Sequence, residues 1–250
     1  MSAGEVVGIA LAGLAAGAIN ALVGSGTLII FPVLLAFGYA PVTANVTNTV
    51  GLAPGNASGA IGYRRELTGQ RARVLRLGLM SLAGGITGAV LLLVLPASAF
   101  KAIVPVFIAL ALMLVVLQPW LVGVLARREI NLEQGIVVLP AAVYLAGVYG
   151  GYFGAAQGIL LLGILGAALA QDLHRTNALK NVLVGLVNGV AAVYFALAAH
   201  VDWGPAAIIA GGSIVGAQLG ARYGRRLPPN ALRAVIVAVG VFAIVHLVLE

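Results

Sequence analysis

The sequence predicts an all-α polytopic membrane protein, and three observations support this prediction. Of the 250 residues, 62% are hydrophobic and 8% are charged, whereas about a quarter of the residues in a soluble domain are charged. The apolar residues form long continuous runs, and most charged residues stand in the short gaps between them. The runs lack the ~10-residue alternation of apolar and polar side chains that is typical of β-barrel strands. We therefore expect helices throughout the chain.

Ten apolar runs are candidate membrane helices, because about 20 apolar residues as a helix cross a hydrocarbon core of ~30 Å. The N-terminus lacks the basic residues of a signal peptide, so we expect the first run to be retained as a helix. The runs lie near 5–23, 26–38, 42–62, 77–95, 101–124, 134–152, 156–170, 177–199, 204–221 and 231–249.

The second and seventh runs are too short to cross a bilayer. Each holds about 12 strongly apolar residues, enough for half a bilayer at ~1.5 Å per residue. Each also follows a glycine-rich break, at Val23 to Gly26 and at Gly150 to Gly158. The sequence therefore predicts broken or re-entrant segments near 24–38 and 154–170.

The arginines indicate the orientation of the chain. If every run reverses the direction of the chain, the four arginine-containing gaps share one side, and Glu5, Asp202 and Glu250 lie on the other. Eight full crossings with two half-crossing pairs would give the same sides. The positive-inside rule makes the arginine side cytoplasmic, so we expect a cell (inner) membrane protein with both termini outside the cytoplasm. The arginines concerned are Arg64, Arg65, Arg71, Arg73 and Arg76, then Arg127 and Arg128, then Arg175, and finally Arg222, Arg225, Arg226 and Arg233.

A repeated pattern divides the chain into halves. Gly24 to Ile30 is matched by Ala156 to Leu162, and the later polar positions Thr47-Asn48 and Asn56 are matched by Thr176-Asn177 and Asn188. We expect two transmembrane repeats, 1–126 and 127–250, of about five segments each. An odd number of segments inverts the second repeat relative to the first.

Glycines at small-xxx-small spacing recur in the fourth and ninth segments. We expect most of them to serve close helix packing. They include Gly84, Gly85, Gly88, Gly211, Gly212, Gly216 and Gly220.

Short, glycine-interrupted segments at matching places in two halves are typical of a transporter's central site. A half-helix that begins inside the membrane leaves its first N–H groups unpaired and presents partial positive charge there, which favours an anion. Irregular backbone at membrane depth is tolerated where it lines a cavity or is buried in protein. The breaks therefore predict an anion site at mid-membrane, with the two breaks facing one another around the anion.

The candidate substrate-binding residues are polar or glycine residues in the breaks and in the segments that follow them. Several have a structural alternative: Asn48 and Asn177, like Thr47, Thr176 and Asn45, could cap helix starts, and Asn56 and Asn188 could join helices. Lys180 could extend its ammonium to the lipid headgroups. The candidates are Gly24, Ser25, Gly26, Asn48, Asn56, Gln157, Gly158, Asn177, Lys180 and Asn188.

Two residues ahead of Lys180 add to this hypothesis. His174 and Arg175 could attract an anion from the cytoplasm, although Asp172 would neutralise part of their charge. His174 could also titrate near neutral pH as a proton-linked gate.

What the apolar runs lack argues against other function classes. No acidic residue lies inside them, so a cation site built on buried carboxylates is disfavoured. The three histidines are scattered and the chain has no cysteine, so we expect neither an enzyme nor a metal site. No phosphate-binding Gly-Lys-Ser/Thr loop occurs, and we expect no cofactor. The basic residues do not cluster on a polar surface, so nucleic acid is not an expected partner.

Three features resemble those of the TauE/SafE sulfite exporter family, also called the toluene-sulfonate uptake permeases. They are the glycine-rich break, the short segment with Pro32, and the pair Thr47-Asn48, which recurs as Thr176-Asn177. The resemblance covers essentially the whole chain. One departure is that the breaks read Gly-Ser-Gly and Ala-Gln-Gly, where the family would have a denser glycine run.

The resemblance implies a secondary transporter that exports small organosulfur anions, such as sulfite, sulfonates and sulfoacetate-like compounds, across the cytoplasmic membrane. Alternating access would follow from the two halves. Uptake, a passive anion channel and a membrane subunit of a larger complex are the alternatives. The expected partners are a small organosulfur anion and the lipid bilayer, and the sequence leaves a homodimer open.

Overall fold

The computed structural model describes residues 1–127, 137–169, 171–223, 236–238 and 241. Within these ranges the chain forms nine α-helices and one short 3-10 helix, Arg64–Leu67. Of the tenth predicted segment, 231–249, the structure describes residues 236–238 and 241, which are helical. The α-helices are α1 Ala3–Leu22, α2 Thr27–Ala36, α3 Pro41–Gly62, α4 Arg71–Val94, α5 Ala97–Arg127, α6 Val138–Tyr152, α7 Gln157–Ala168, α8 Leu173–Ala198 and α9 Trp203–Tyr223.

The helix lengths confirm the all-α membrane fold. Five helices, α1, α4, α5, α8 and α9, are long and apolar enough to cross a membrane. The short second and seventh segments are confirmed as α2, with 10 residues, and α7, with 12 residues. α3 is long enough to cross at 22 residues, but it carries many Thr, Asn and Gly residues, most of them buried. A polar helix at the centre of an apolar bundle is a candidate for a functional site.

Local sequence fixes the start of several helices. Ser2 and Glu5 form a capping box at the start of α1, and Pro41 is the first residue of α3. Asp172 caps α8 by accepting a hydrogen bond from the backbone N–H of Arg175 at 3.0 Å. That hydrogen bond lowers the pKa of the exposed Asp172 carboxyl, and the nearby positive charge of Arg175 adds to the effect.

Several predicted helix starts were wrong, and α5, for example, begins at Ala97 and not near residue 101. α4 begins at Arg71 and not near residue 77, so Arg71, Arg73 and Arg76 lie in its first turns and not in a loop. α8 begins at Leu173 and not near 177. α4 and α8 extend beyond the apolar run, because arginine is a good helix former and Asp172 is a strong cap.

The short helices form two hairpins with the helices before them. The Phe37 ring, just after α2, lies against Gly8 near the start of α1. The end of α7, at Leu165 and Ala168, packs in the same apolar cluster as Leu139 at the start of α6. The α1–α2 and α6–α7 hairpins therefore each have their tip at a glycine-rich break.

Glycines allow the long helices to approach closely. Along α1 and α9, Gly13 lies against Ile209 and Gly17 against Ser213, so the two helices run parallel. Gly55 of α3 also lies against Ser213. The predicted packing role is confirmed at Gly84, Gly85 and Gly88 and at Gly212, Gly216 and Gly220, where an added Cβ would meet neighbouring atoms; around Gly211 it would meet none within 4 Å.

The charged residues divide between the two ends of α3. At its end, Arg64 and Arg65 begin the 3-10 helix, and Arg175 Nη2 donates to the Thr68 carbonyl at 3.0 Å. We call this the basic end. Beyond the start of α3 lies the opposite, acidic end, where partial burial raises the pKa of Tyr39 and the negative charges of Asp202 and Glu5 add to the rise.

Candidate anion site

The tips of the two hairpins touch through their backbones. The N–H of Gly158, in the first turn of α7, donates to the Gly24 carbonyl at 3.1 Å. A Cβ on either glycine would overlap the backbone of the other. Gly24 has φ of +83°, a conformation that glycine adopts without steric cost. The predicted approach of the breaks near Gly24 to Gly26 and Gly154 to Gly158 is therefore present in the structure.

The first break lies alongside the middle of α3. Asn20, before the break, donates from Nδ2 to Asn56 Oδ1. Thr27, after the break, accepts through Oγ1 from Asn48 Nδ2 at 3.3 Å. Because α3 runs the length of the bundle, the break lies at the depth of its central turns.

The backbone N–H groups at the breaks differ from the prediction. The sequence predicts unpaired N–H groups at the starts of the two short helices. The Gly158 N–H is bound by Gly24, and the Gly26 N–H donates to Asn20 Oδ1 at 3.3 Å. The reason is that buried backbone donors without water are costly to leave unpaired. No anion fits between Gly24 and Gly158 while their backbones are in contact.

Three side chains of α8 bind the end of α1. Lys180 Nζ donates to the Asn20 carbonyl at 3.3 Å. Asn177 Nδ2 and Asn181 Nδ2 donate to the Ala21 carbonyl at 3.3 and 3.2 Å. These carbonyls belong to the last turn of α1, where a helix has unpaired acceptors and partial negative charge. The donors of α8 therefore complete the C-terminus of α1.

The other hairpin has a similar contact. Asn45 Nδ2 of α3 donates to the carbonyl of Tyr152, the last residue of α6, at 3.0 Å. In each hairpin, a side-chain amide thus binds the C-terminal end of the first helix. The amide on α1 comes from α8, and the amide on α6 comes from α3.

The structure also argues against two alternative roles of the candidate residues. Lys180 is fully buried, which argues against the alternative that its ammonium extends to the headgroups. The helix-cap interpretation is wrong, because α3 starts after Ala40 and α8 after Asp172. Those starts leave the four positions Thr47, Asn48, Thr176 and Asn177, together with Asn45, inside the helices.

Several buried polar atoms at the site have no hydrogen-bond partner among the described residues. Gln157 is 1% exposed, and its amide lies over Gly150, where any side chain would displace it. Most buried polar groups in proteins are hydrogen-bonded, so buried atoms without a partner make these residues candidates for ligand contact. The atoms are Ser25 Oγ, Asn48 Oδ1, Asn56 Nδ2, Asn177 Oδ1, and Oε1 and Nε2 of Gln157.

Asn188 stands apart from the other candidates. It is buried, and its Nδ2 donates to the carbonyl of Val184 one turn earlier in α8 at 3.2 Å. That contact is internal to the helix. The described hydrogen bonds do not connect Asn188 to the two breaks.

A cavity of about 180 Å³ lies between the basic end, where Tyr63 lines it, and Asn177 of this cluster. Its rim includes the exposed Leu173 and His174, and the buried Asn177 also lines it. Gln118 of α5 adds a second amide to the wall. Among the described residues no three His, Asp or Glu side chains come close enough to hold a metal ion.

Sequence reasoning missed Asn20, Thr27 and Asn181. All three are buried and hydrogen-bonded at the first break. Asn20 gives a usable signal, since it is an amide inside an otherwise apolar run, four residues before Gly24. Asn181 has no such signal, because only the contact between α1 and α8 shows that it faces the Ala21 carbonyl.

Comparison with known proteins assigns the chain to a family. The profile of the family described as sulfite exporter TauE/SafE matches residues 9–247. The chain belongs to the TauE/SafE sulfite exporter family. The sequence-based assignment to this family is thereby confirmed, and a multi-pass membrane protein is consistent with the five long apolar helices.

Curated relatives of this TauE/SafE protein are similar over nearly their whole length. A "probable membrane transporter protein ORF9" of Sinorhizobium sp is 27% identical over 236 residues, covering 94% of this chain and 89% of the relative. The "probable membrane transporter protein YfcA" of Escherichia coli K12 is 26% identical over 228 residues, covering 90% and 82%. A "probable membrane transporter protein" of Haemophilus influenzae is 26% identical over 227 residues, covering 90% and 87%. No solved structure matches the chain.

Proposed function

We propose that this TauE/SafE protein is a secondary transporter that exports small organosulfur anions, such as sulfite and sulfonates, across the cytoplasmic membrane. The observation that carries the proposal is the contact of two glycine hairpin tips beside unbonded buried amides and one buried ammonium. Such an arrangement suits an anion with several acceptor oxygens, because amide and ammonium groups donate hydrogen bonds. The relatives named as membrane transporters support the transport class.

In this proposal Lys180 supplies the positive charge for the substrate. Its ammonium is at present bound to the Asn20 carbonyl, and a negatively charged oxygen is a stronger acceptor than a neutral carbonyl. A substrate anion would therefore take Lys180 away from the end of α1. The remaining substrate contacts would come from Ser25, Asn48, Asn56, Gln157 and Asn177, and from the backbone at Gly24, Gly26 and Gly158.

Loss of the Lys180 hydrogen bond to the Asn20 carbonyl would free the end of α1. The contact of Gly24 with Gly158 would then open. Movement of one hairpin relative to the other would expose the site to one side of the membrane at a time. The coupling between binding and opening follows because the substrate and α1 compete for the same donors.

A matched pair of hydrogen bonds supports two inverted repeats, 1–126 and 127–250. Ser81 Oγ of α4 donates to the carbonyl of Leu183 in α8 at 3.2 Å. Ser213 Oγ of α9 donates to the carbonyl of Gly51 in α3 at 3.1 Å. Ser81 and Ser213 are as far apart in the sequence as Gly51 and Leu183. This equal spacing is expected if α3 corresponds to α8 and α4 corresponds to α9.

Two features support export over uptake. The cavity that reaches Asn177 opens among residues of the basic end, and the positive-inside rule assigns that end to the cytoplasm. The positive charge of Arg175 would draw anions towards this cavity. Anions would thus be loaded from the cytoplasm.

A flux assay tests the proposal. Purified protein in liposomes is expected to move sulfite or taurine-like sulfonates with saturable kinetics, and preloaded substrate is expected to accelerate uptake of labelled substrate. Saturable counter-transport distinguishes a transporter from an anion channel. Absence of flux and of binding for all of these compounds would contradict the proposal.

A further inference from the structure

The charge balance around the site is unusual. Of the charged side chains in the described ranges, Lys180 alone is buried. No carboxylate pairs with it there, and the hydrogen bond it makes to described residues is to the Asn20 carbonyl. An ammonium has three donors, so two remain for a ligand.

The other polar side chains of the candidate site are neutral. Asn177 and Asn181 flank it on α8, and both bind the Ala21 carbonyl. The breaks contribute the hydroxyl of Ser25 and the amide of Gln157, both buried and without a hydrogen-bond partner in the part of the chain that the structure describes. Neutral donors orient an anion but do not neutralise its charge, so among the described side chains of the site Lys180 alone can balance a negative charge.

We infer that the site selects singly charged sulfonates and hydrogensulfite over doubly charged anions such as sulfate, sulfoacetate and fully ionised sulfite. This inference rests on the proposed function, and it narrows the substrate class. A single negative charge is balanced by Lys180, whereas a second would remain unbalanced in the membrane interior, where a charge is costly. His174 lines the cavity and is exposed, and the Arg175 guanidinium binds the Thr68 carbonyl at the basic end, so neither side chain adds a buried charge beside Lys180.

Isethionate and sulfoacetate form a matched pair of probes. Both are two-carbon sulfonates, and they differ in that sulfoacetate has a carboxylate in place of a primary alcohol. Wild-type protein is placed in liposomes at one neutral pH with the membrane potential clamped at zero, so that charge does not bias the flux electrically. Competition against labelled isethionate then compares the affinities.

We expect sulfoacetate and sulfate to compete about 100-fold more weakly than unlabelled isethionate. Equal competition by the three anions, with measurable transport, would overturn the charge selection and leave the proposed function intact. Absence of isethionate, sulfite and sulfoacetate transport would overturn the proposed function and this inference with it. Because wild-type protein is measured, the result does not depend on the folding of a variant.

A charge-removing variant gives a second test. Lys180→Gln is expected to bind isethionate more weakly and to lose most of the discrimination against sulfoacetate. Lys101→Gln is the matched control, since Lys101 is exposed at the start of α5, and it is expected to discriminate as the wild type does. Unchanged discrimination in a folded Lys180→Gln variant would overturn the inference.

Discussion

Lys101 and Lys180 are the two lysines of the chain, and they occupy opposite environments. Lys101 is exposed in the second turn of α5, whereas Lys180 is fully buried and bound to the end of α1. Burial of a long cationic side chain without a carboxylate partner is costly in a membrane protein. The cost is explained if the ammonium serves a bound anion for part of the transport cycle.

Replacement of Lys180 by Ala is expected to reduce transport of sulfonate by about tenfold or more, because a hydrogen bond to a charged group contributes ~1.5–3 kcal/mol. Lys101→Ala is expected to leave transport unchanged. Initial rates in liposomes, normalised to the amount of inserted protein, measure both. Equal rates for the two variants would contradict a substrate role for Lys180.

At the residue scale, the sequence predicts which residue types are unusual but not what they contact. Lys180, Asn48, Asn177 and Gln157 stand out because they are polar residues within or beside apolar runs. Their partners could not be predicted, because the Ala21 and Tyr152 carbonyls come from other helices. Side chains that bind backbone carbonyls leave no pattern in the sequence, and for that reason the position of Asn45 before an apolar run favours a helix cap and not the observed contact with Tyr152.

The two hairpins depend on close approach of their tips. Gly24 and Gly38 both have φ of +83°, but an added Cβ at Gly24 would meet the backbone of Gly158, while one at Gly38 would meet nothing within 4 Å. The pair therefore separates the cost of the backbone conformation from the cost of the tip contact.

Gly38→Ala is expected to cost about 1–2 kcal/mol from the left-handed conformation alone. Gly24→Ala is expected to cost the same amount plus ~1–3 kcal/mol of steric overlap. Thermal unfolding of both variants in detergent, followed by circular dichroism, gives the comparison. If Gly38→Ala lowered the midpoint temperature as much as Gly24→Ala, the tip contact would not contribute to stability.

At the element scale, the sequence predicted the helices well and their ends less well. Long apolar runs predict helices because a membrane helix satisfies its own backbone hydrogen bonds. The short apolar runs predicted α2 and α7 by the same argument, and the glycine breaks before them indicated where these helices begin. The starts of α4 and α8 were missed, because Arg71 and Leu173 belong to polar or charged stretches that hydropathy places outside the membrane.

The bundle has a basic end and an acidic end, separated by the length of α3. The basic end includes Arg64 and Arg65, and the acidic end includes Glu5 and Asp202. The positive-inside rule predicts that the basic end faces the cytoplasm. The N-terminus, whose amine lies 4.0 Å from the Glu5 carboxylate, would then face outward.

Single cysteines test this orientation, because the natural chain has none. Thr68→Cys, at the basic end, is expected to react with a membrane-impermeant thiol reagent only after cells are opened. Ser2→Cys is expected to react in intact cells. The reverse pattern would contradict the predicted orientation and would reverse the argument for export.

At the scale of the whole molecule, the sequence predicted that the two breaks would approach each other, because matched half-helices in two repeats are typical of a central site. It did not predict that the tips would touch with no space between them. That contact depends on the backbones of Gly24 and Gly158 meeting each other. The positions of glycines in the sequence do not determine which glycines of different helices come into contact.

Cysteine labelling tests most directly whether both breaks belong to one substrate site. Ser25→Cys and Gln157→Cys, made singly in the cysteine-free chain, are labelled in liposomes with a small thiol reagent, with and without a transported sulfonate; Thr68→Cys serves as the control for reagent activity. We expect the sulfonate to slow labelling at both breaks and to leave labelling of Thr68→Cys unaffected. Labelling at the two breaks that is the same with and without the sulfonate would contradict a shared substrate site.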